Sequence, residues 1–495
     1  MRILIVILLF SIVANSQRTI ADSIPAFTGK YPAIGAGRYA TGGSGGVVLK
    51  ITNLNNSGPG SARAAFEDSR TRHIMKEIDG YIPLQSDIIV NNPNYSYHGH
   101  IGPIGGGGLV FISDGSTTTG LFQFQAGNAI IRFLKTFQGG SSSNPPSNGV
   151  SGDNLQIAGT YLYFDHCSVL YGRDENFSIS NGFPEITTDH VSFSYGLVAR
   201  GIGGNDSRGA LIAGNINEIS VVKNFFSGNN QRNPRTHCYS CTSGIERRFE
   251  YVNNLFYDYV RPAQLGNPLS AYGDNGGQVE TNFIHNAWET SSASNTNYPI
   301  MVDEVGSQTY IDDGNIGPTR PPLDGFDPWD NLARDGTSSS AGVAAKDDRY
   351  SATPFNTTLV SEGFTPTPAA QLFNELSPHI GASIPGLLAP EQDVLDDYVA
   401  GVTSHPFEIA DIVYPAIATG TIRTDTDGDG IPDDWEIAHE LDRNVSNVGL
   451  FSLSPHYDDF EMYSMDVVNQ VYPPDEPPVE VVKRVLKNGF IRILD

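Results

Sequence analysis

Residues 209–235 read GALIAGNINEISVVKNFFSGNNQRNPR, and this stretch joins a strand to a turn that carries two arginines. The run Ile219–Phe226 has the β-branched and aromatic content of a strand, and the Gly-Asn-Asn sequence after it interrupts that pattern. Pro234 fixes its own φ and favours an extended residue before it, so the turn between Arg232 and Arg235 is predicted to be stiff. Guanidinium groups held on a stiff turn can bind planar carboxylates through paired hydrogen bonds. An isolated pair of this spacing, taken alone, is more often two solvated loop arginines.

Strand-like segments of similar length recur around this stretch, from Gly80 to Glu289, and Gly, Asn and Asp residues separate them. The sequence FDHCSV at Phe164–Val169 returns as TDHVSF at Thr188–Phe193, a shift of 24 residues. A repeat of about 22–30 residues made only of short strands is typical of a parallel β-helix, in which each coil stacks on the previous one. The sequence therefore predicts an all-β protein with a right-handed parallel β-helix.

The turns of this repeat contain asparagine and histidine residues that invite two interpretations. Asparagines recur in Val222–Phe225, Val252–Phe256 and Glu280–Phe283, and equivalent residues of stacked coils are expected to form ladders. The Asp-His pairs at 165–166 and 189–190 resemble a metal or acid-base site, but their recurrence within the repeat favours a ladder position instead.

The overall charge and the N-terminus indicate the protein's surroundings. The chain has 495 residues and a formal net charge of −25, so its surface repels phosphate groups and binding to nucleic acid is not expected. Met1–Ser16 combines an early arginine, a short apolar run and small residues at a cleavage spacing, which predicts a signal peptide. No later stretch is apolar and long enough to span a bilayer. We therefore expect a secreted monomer, either extracellular or periplasmic, with no membrane association.

The three cysteines are too few for a disulfide framework. Cys238 and Cys241 form a C-x-x-C motif that lacks the second pair a zinc site requires, and a local disulfide between them is compatible with an oxidising compartment. Cys167 lies in a strand pattern and is predicted to be a small buried residue.

A second motif, DTDGDGIPDDWE, occupies residues 425–436, which we call the acidic loop. Counted from its first residue, Asp425, Asp427 and Asp429 stand at positions 1, 3 and 5, and Glu436 stands at position 12. This is the spacing of an EF-hand calcium loop, in which alternate carboxylates face inward and the last one binds through both oxygens. The carbonyl of Ile431 would be the ligand at position 7. We predict a structural Ca²⁺ site, with an ion-free acidic turn as the alternative.

These features divide the chain into four predicted parts. Residues 1–16 are the signal peptide, and residues 17–420 form the β-helix domain with its C-terminal loops and short helices. Residues 421–470 form the small EF-hand-like calcium-binding segment, and residues 471–495 form a proline-rich linker followed by a β-hairpin about an Asn-Gly turn.

A parallel β-helix with an asparagine-rich strand leading into R-x-P-R resembles the pectate lyases of polysaccharide lyase family 1. The resemblance covers roughly Pro25–Glu289, and the order of parts through to the acidic loop is similar to secreted bacterial members. It implies that Arg232 is the base that removes the C5 proton of a galacturonate unit. It also implies that Arg208 and Arg235 bind substrate carboxylates.

The same resemblance implies a calcium site beside these arginines. Asp153 and Asp174 match two acidic calcium ligands, and a third acid is expected four residues after Asp174, where this chain has Ser178. Serine is a poorer calcium ligand than a carboxylate. Either Glu175 compensates for it, or the site is completed by substrate carboxylates.

The resemblance thus implies a calcium-dependent pectate lyase acting on de-esterified homogalacturonan (polygalacturonate) by β-elimination. Calcium and arginines would stabilise the charge that develops when a proton leaves the carbon next to a carboxylate. One alternative is a β-helix glycoside hydrolase using paired carboxylates, Asp174 with Glu175 or with Asp189. The other is a non-catalytic protein that binds glycans with calcium. The arginine turn favours the lyase.

Overall fold

The computed structural model describes a chain built from stacked short strands. It describes residues 17–115, 120–139, 152–180, 187–203, 207–214, 216–237, 246–261, 263–266, 278–290, 299–302, 307–318, 327–335, 344–402, 409–474, 485–487 and 490–492. The predicted signal peptide and the C-x-x-C cysteines Cys238 and Cys241 lie outside the described residues. Among the helices described, none is long and apolar enough to cross a bilayer.

Short strands make up most of the chain. In chain order they are β1 (Val47–Ile51), β2 (Arg72–Lys76), β3 (Gly80–Leu84), β4 (Ile88–Val90), β5 (Tyr95–His98), β6 (Leu109–Ser113), β7 (Phe122–Phe124), β8 (Ala129–Arg132), β9 (Lys135–Phe137), β10 (Leu155–Ile157), β11 (Thr160–Asp165), β12 (Ser168–Leu170), β13 (Glu175–Ser180), β14 (Thr188–Ser194), β15 (Leu197–Ala199), β16 (Arg208–Ala213), β17 (Ile216–Val222), β18 (Phe225–Ser227), β19 (Arg235–His237), β20 (Glu246–Val252), β21 (Leu255–Tyr257), β22 (Ala263–Leu265), β23 (Gln278–Ile284), β24 (Ala287–Glu289), β25 (Ile300–Val302), β26 (Ser307–Ile311), β27 (Ala333–Asp335), β28 (Val485–Lys487) and β29 (Phe490–Arg492).

The first twenty-seven strands form three long sheets that the chain visits in rotation. Sheet 1 has ten strands in the order β1-β2-β5-β8-β11-β14-β17-β20-β23-β26. Sheet 2 has nine, β27-β25-β22-β19-β16-β13-β10-β7-β4, and sheet 3 has eight, β24-β21-β18-β15-β12-β9-β6-β3. Strands three apart in sequence pair in parallel, as β11 does with β14, which confirms the predicted parallel β-helix. The strands β28 and β29 form a separate antiparallel pair.

The sequence repeat that suggested this fold is out of register with the coils. Leu162 pairs with Val191 and Asp165 pairs with Ser194, so these two coils are offset by 29 residues and not by 24. The predicted Asp-His ladder is therefore wrong. His166 lies at the corner after β11, whereas His190 lies inside β14. The two segments share letters because both alternate apolar and polar residues, and not because they occupy equivalent positions.

The corner between sheet 1 and sheet 3 repeats the same backbone conformation from coil to coil. One residue in each has a left-handed φ near +50° to +57°, namely Phe133, His166, Tyr195, Lys223, Asn253 and His285. Such φ values are costly for bulky residues and require support from their surroundings. In the earlier coils stacked rings provide it, because His166 lies 5.0 Å from Phe133 and 4.8 Å from Tyr195 between ring centroids.

In the later coils the support comes from an asparagine ladder, Asn224, Asn254, Asn286 and Asn315. The side-chain amide of each donates to Oδ1 of the next, at 3.0 Å, 3.1 Å and 3.1 Å. The ladder confirms that the turns carry stacked asparagines. Its third member is Asn286, whereas the predicted segment contained Asn282, which pairs with Glu250 inside sheet 1.

The interior of the solenoid is filled by apolar side chains from all three sheets. Aromatic rings stack along it, with centroid distances of 4.3 Å between Phe177 and Phe193 and 5.1 Å between Phe226 and Phe256. Cys167 is fully buried in the same core, as predicted. Burying each large side chain contributes roughly 1.5–3 kcal/mol, so the stacked core accounts for much of the fold's stability.

Helices and loops cover two of the sheets from outside. The helices are α1 (Ala62–Phe66), α2 (Pro328–Leu332), α3 (Thr358–Ser361), α4 (Leu372–Leu376), α5 (Ala389–Ala400), α6 (Asp433–Ala438) and α7 (Asp459–Val471), with short 3-10 turns at Ile20–Asp22, Ala369–Gln371 and Ile409–Asp411. The helix α5 lies over sheet 3, where Glu391 accepts from Lys135 at 2.8 Å. The strands β25 to β27 supply parts of the last coil.

The C-terminal segment returns to the first coils and packs on the outer face of sheet 1. On α7 and its N-cap, Glu461 pairs with Arg18 at 2.8 Å and Asp458 contacts His73 at 2.9 Å. A glycine-rich segment covers the middle of the same face. At Gly37 an added Cβ would lie 2.1 Å from the Leu162 carbonyl oxygen, so only glycine permits this approach.

Candidate functional site

The candidate site lies at the start of four successive strands of sheet 2. Register pairs Leu155 with Phe177, so Asp153 and Glu175 occupy equivalent positions two residues earlier on neighbouring coils. Glu175 pairs in turn with Arg208, which forms a bridge with Gln231. Parallel stacking therefore brings together residues from four separate coils.

Three carboxylates meet at this edge, and we call Asp153, Asp174 and Glu175 the carboxylate cluster. One oxygen of each lies within 4.8 Å of the others, which is close enough for one cation to bind all three. Glu175 thus brings a third carboxylate to the cluster, from a position three residues before Ser178. The residues present fit a calcium ion, because hard divalent cations prefer carboxylate oxygens.

Ser178 contributes to the site in another way. Its hydroxyl donates a hydrogen bond to Oδ2 of Asp153, and the backbone N–H of Glu175 donates to Oδ1 at 3.4 Å. Burial raises the pKa of Asp153 to about 6, against the opposing effects of the Ser178 hydrogen bond and of the nearby Arg232 and Arg208. Asp153 is thus oriented by its neighbours and sensitive to charges placed beside it.

Two arginines bind the carboxylate cluster directly. Arg208 forms an ion pair with Asp174, and Arg232 forms one with Glu175, whose side chain is only 2% exposed. Burial lowers the pKa of Arg208, and the positive charge of Arg235 lowers it further. The site therefore combines three acidic and three basic side chains within one surface patch.

The backbone around Arg232 explains how its side chain is placed. Arg232 has a left-handed φ of 59°, and its carbonyl accepts from the N–H of Ala210 at 2.8 Å. The side chain of Asn233 donates to the carbonyl of Asn229 at 3.1 Å, and the Asn233–Pro234 peptide is cis. At Gly209 a Cβ would lie 2.8 Å from the Arg232 carbonyl oxygen, so a glycine is needed opposite the turn.

Arg235 lies further along the same edge, on β19, where it pairs with Leu211 and Gln264. Its guanidinium donates to the Gly266 carbonyl at 3.3 Å. Two strand positions on, His237 is buried, and burial together with Arg235 and Arg232 lowers its pKa to about 3. His237 is therefore neutral, and sequence analysis missed it because nothing in the motif predicted which residues would face the arginines.

The acidic loop forms a second cluster of carboxylates, against the first coils. One oxygen each of Asp425, Asp427 and Asp429 lies within a shared 4.8 Å, as expected for loop positions 1, 3 and 5. Oδ2 of Asp425 lies 2.7 Å from Nζ of Lys50 on β1. The side chain of Ile431 is buried in the apolar cluster that joins the loop to sheet 1.

Glu436, on the first turn of α6, is the best indication that this loop suits a cation. It is fully buried, and within the part of the chain that the structure describes its Oε2 has no hydrogen-bond partner. Burial and the neighbouring Asp429 and Asp427 raise its pKa to about 7. A divalent ion would satisfy the orphaned oxygen and neutralise the crowded carboxylates, so these residues also fit calcium.

The residues proposed for the hydrolase alternative are not all brought together. Asp174 and Glu175 are neighbours at sheet 2, but each is bound to an arginine. Asp189 lies on β14 in sheet 1, where it contacts His190 at 3.0 Å. The structure therefore removes Asp189 from this site.

Comparisons with known proteins identify similar sequences but no matching family model. A protein described as "Probable pectate lyase C" from Aspergillus fumigatus is 29% identical over 477 residues, covering 94% of this chain and 98% of that protein. Its counterpart from Emericella nidulans is 27% identical over 449 residues, covering 89% and 93%.

Solved structures give matches of lower identity. The crystal structure of Jun a 1, the major allergen from cedar pollen, has a TM-score of 0.43 at 13% identity and covers 70% of this chain and 92% of that chain. A Bacillus subtilis pectate lyase mutant has a TM-score of 0.40 at 14% identity, covering 71% and 96%.

Proposed function

We propose that this protein is a pectate lyase that cleaves de-esterified homogalacturonan by calcium-assisted β-elimination. The observation that carries the proposal is the carboxylate cluster beside Arg208 and Arg232, in a chain similar almost end to end to probable pectate lyases. An acidic polysaccharide needs local positive charge on a protein whose net charge is −25, and a calcium ion held beside these arginines would supply it.

In this proposal each group has one task. Asp153, Asp174 and Glu175 hold calcium, which when bound supplies positive charge that positions and polarises the substrate carboxylate. Arg208 and Arg235 bind substrate carboxylates, since a guanidinium matches their planar geometry.

Arg232 takes the proton from C5 of the galacturonate unit. The electron pair of the C5–H bond becomes the C4=C5 double bond, and the pair of the C4–O bond leaves with the glycosidic oxygen. That oxygen takes a proton from solvent, so the products are a reducing end and an unsaturated sugar. Because arginine is ordinarily protonated, a base role requires an alkaline rate optimum, and a pH-independent rate would contradict it.

We also propose that the acidic loop binds a second, structural calcium ion through Asp425, Asp427, Asp429, the carbonyl of Ile431 and Glu436. The crowded carboxylates and the orphaned Glu436 oxygen support this assignment. The loop contacts β1 and β2 at the first coil, whereas Arg232 lies between β18 and β19, several coils later. The ion would therefore stabilise the docking of the C-terminal segment and take no part in catalysis.

We further propose that the enzyme is secreted as a monomer after removal of residues 1–16. The apolar N-terminal run supports export. The relatives named above are fungal, so membership of a bacterial type stays a prediction.

The decisive test is an assay of the full chain on polygalacturonate under alkaline conditions, with calcium and with EDTA. Elimination gives an unsaturated product that absorbs in the ultraviolet, whereas hydrolysis gives reducing ends without that absorbance. We expect a calcium-dependent rise in absorbance that Arg232→Ala reduces by at least about 10³-fold. Reducing ends alone would indicate a hydrolase, and polymer binding without either product would indicate a glycan-binding protein.

A further inference from the structure

The two arginines assigned to catalysis and substrate binding are both bound to carboxylates assigned to calcium. Arg232 pairs with Glu175, and Arg208 pairs with Asp174. The same two carboxylates therefore have two kinds of cationic partner available, a guanidinium of the protein and a metal ion. Both partners cannot occupy an oxygen in the same geometry.

Burial strengthens the competition between arginine and calcium for these carboxylates. The Glu175 side chain is 2% exposed and that of Arg232 is 18% exposed. The side chains of Arg208 and Asp174 are 15% and 21% exposed. A carboxylate so little hydrated requires a counter-charge, and solvent screens the interaction only weakly. Removing a guanidinium from such a carboxylate is costly unless another cation replaces it.

We infer that calcium and the two arginines exchange at the carboxylate cluster. In the metal-free protein Arg232 and Arg208 neutralise Glu175 and Asp174, and calcium binding transfers that task to the ion. The released guanidinium groups are then available to substrate carboxylates, which replace the ones they have lost. This inference rests on the calcium assignment in the proposed function, and it makes calcium an activator of the arginines as well as a ligand of the substrate.

The backbone permits such a release without a change of fold. The main chain of Arg232 is held by the bond from Ala210 and by the side chain of Asn233, neither of which involves the guanidinium. Asn229 is fixed in turn by the side chain of Asn176, which donates to it at 2.9 Å. The Arg232 side chain can therefore leave Glu175 while the turn that carries it stays in place.

Arg235 provides a matched control on the same edge. It carries the same charge, but the hydrogen bond that it donates goes to the Gly266 carbonyl and not to a member of the carboxylate cluster. Its replacement changes the net charge as much as replacement of Arg232 does. A specific exchange and a general electrostatic effect can thus be distinguished.

The test is calcium titration by calorimetry on the EDTA-treated full chain without substrate. We expect Arg232→Gln and Arg208→Gln to tighten calcium binding at the cluster about tenfold, and Arg235→Gln to change it less than about twofold. Arg232→Lys keeps the competing charge and should stay close to wild type. The acidic loop contributes equally in every variant, so differences report on the cluster.

Unchanged or weaker binding in Arg232→Gln and Arg208→Gln would overturn the exchange while leaving the calcium assignment intact. Equal tightening in Arg235→Gln would overturn it in favour of general electrostatics. If neither the wild type nor any variant binds calcium at the cluster, both the exchange and the calcium assignment fail. These readouts use no substrate, so the lyase activity can fail or hold independently.

A second measurement follows release directly. An arginine-selective dicarbonyl reagent, read out by peptide mass spectrometry, should label Arg232 and Arg208 faster when calcium is present, because ion-paired guanidinium groups are protected. Labelling of Arg235 should not change. Calcium-independent labelling of all three arginines would contradict the exchange.

Discussion

The hydroxyl of Ser178 donates a hydrogen bond to Oδ2 of Asp153 across two neighbouring coils, at the position where a third calcium-binding acid was expected. Ser178→Asp should place that carboxylate beside Asp153 and tighten calcium binding about tenfold, because added ligand charge raises affinity. Calcium calorimetry measures the change. Ser180→Asp adds the same charge two residues along β13 and should have little effect, so equal tightening in both variants would contradict the prediction.

The acidic loop should make the stability of the protein depend on calcium. Glu436→Gln weakens the proposed twelfth-position ligand, so the rise in thermal unfolding temperature on adding calcium should shrink. A ligand at about a hundred times its Kd stabilises by about 2.7 kcal/mol, which sets the scale of the effect. Asp442→Asn, an exposed acid beyond the loop, is the control. A calcium response in Glu436→Gln equal to that of wild type would exclude a loop site.

A buried acid on the face of sheet 1 should make stability fall with pH. Glu250 accepts hydrogen bonds from the Ser220 hydroxyl and the Leu359 N–H, yet burial raises its pKa from 4.5 to about 7. The folded state therefore holds a proton that the unfolded chain releases between pH 4.5 and about 7. Over that range the free energy of unfolding should fall by about 3 kcal/mol and then level off.

Glu250→Gln removes this titration, so the variant should gain stability relative to wild type as pH rises from 4.5 to about 7. Urea unfolding across this range measures the difference, in which titrations common to both proteins cancel. The exposed Glu440→Gln variant should run parallel to wild type. Parallel curves for Glu250→Gln as well would show that this proton is not held in the folded state.

Removing a single side chain from the asparagine ladder should lower the stability of the protein. Asn254 accepts from the N–H and side chain of Asn224 and donates to the Val221 carbonyl and to Asn286, with distances of 2.8–3.1 Å. Asn254→Ala leaves several buried groups without partners and should cost about 2–4 kcal/mol of unfolding free energy. The exposed Asn55→Ala should be nearly neutral. A cost below that of ordinary surface changes would mean that water replaces the amide.

Composition and strand spacing predicted the parallel solenoid because every coil must bury one face of each short strand. This burial leaves alternating apolar residues within each strand, which the sequence shows directly. The register was not predictable in the same way. The matching Asp-His letters at 165–166 and 189–190 suggested a 24-residue period, but turn lengths differ between coils and set the true offset. The strands β25 to β27 leave no periodic pattern in the sequence, because each is only three to five residues long.

The site was predictable where a motif carried it. The arginine turn stands out in sequence, the resemblance to pectate lyases implies Asp153, and parallel stacking places both at one edge of sheet 2. The ion pairs of Arg232 with Glu175 and of Arg208 with Asp174 could not be predicted, because they depend on which residues meet between coils. The neutral His237 depends likewise on burial and on the charges of Arg235 and Arg232, and burial cannot be derived from the motif.

The return of the C-terminal segment to the first coils changes how such a stack can come apart. A row of coils joined only to its neighbours is expected to unzip from whichever terminus is weaker. Here Glu461 and Asp458 bind Arg18 and His73, so the C-terminal helix holds the first coils in place. Cutting the chain before α7 would therefore loosen the molecule at the opposite terminus, where the first coils would lose their cover.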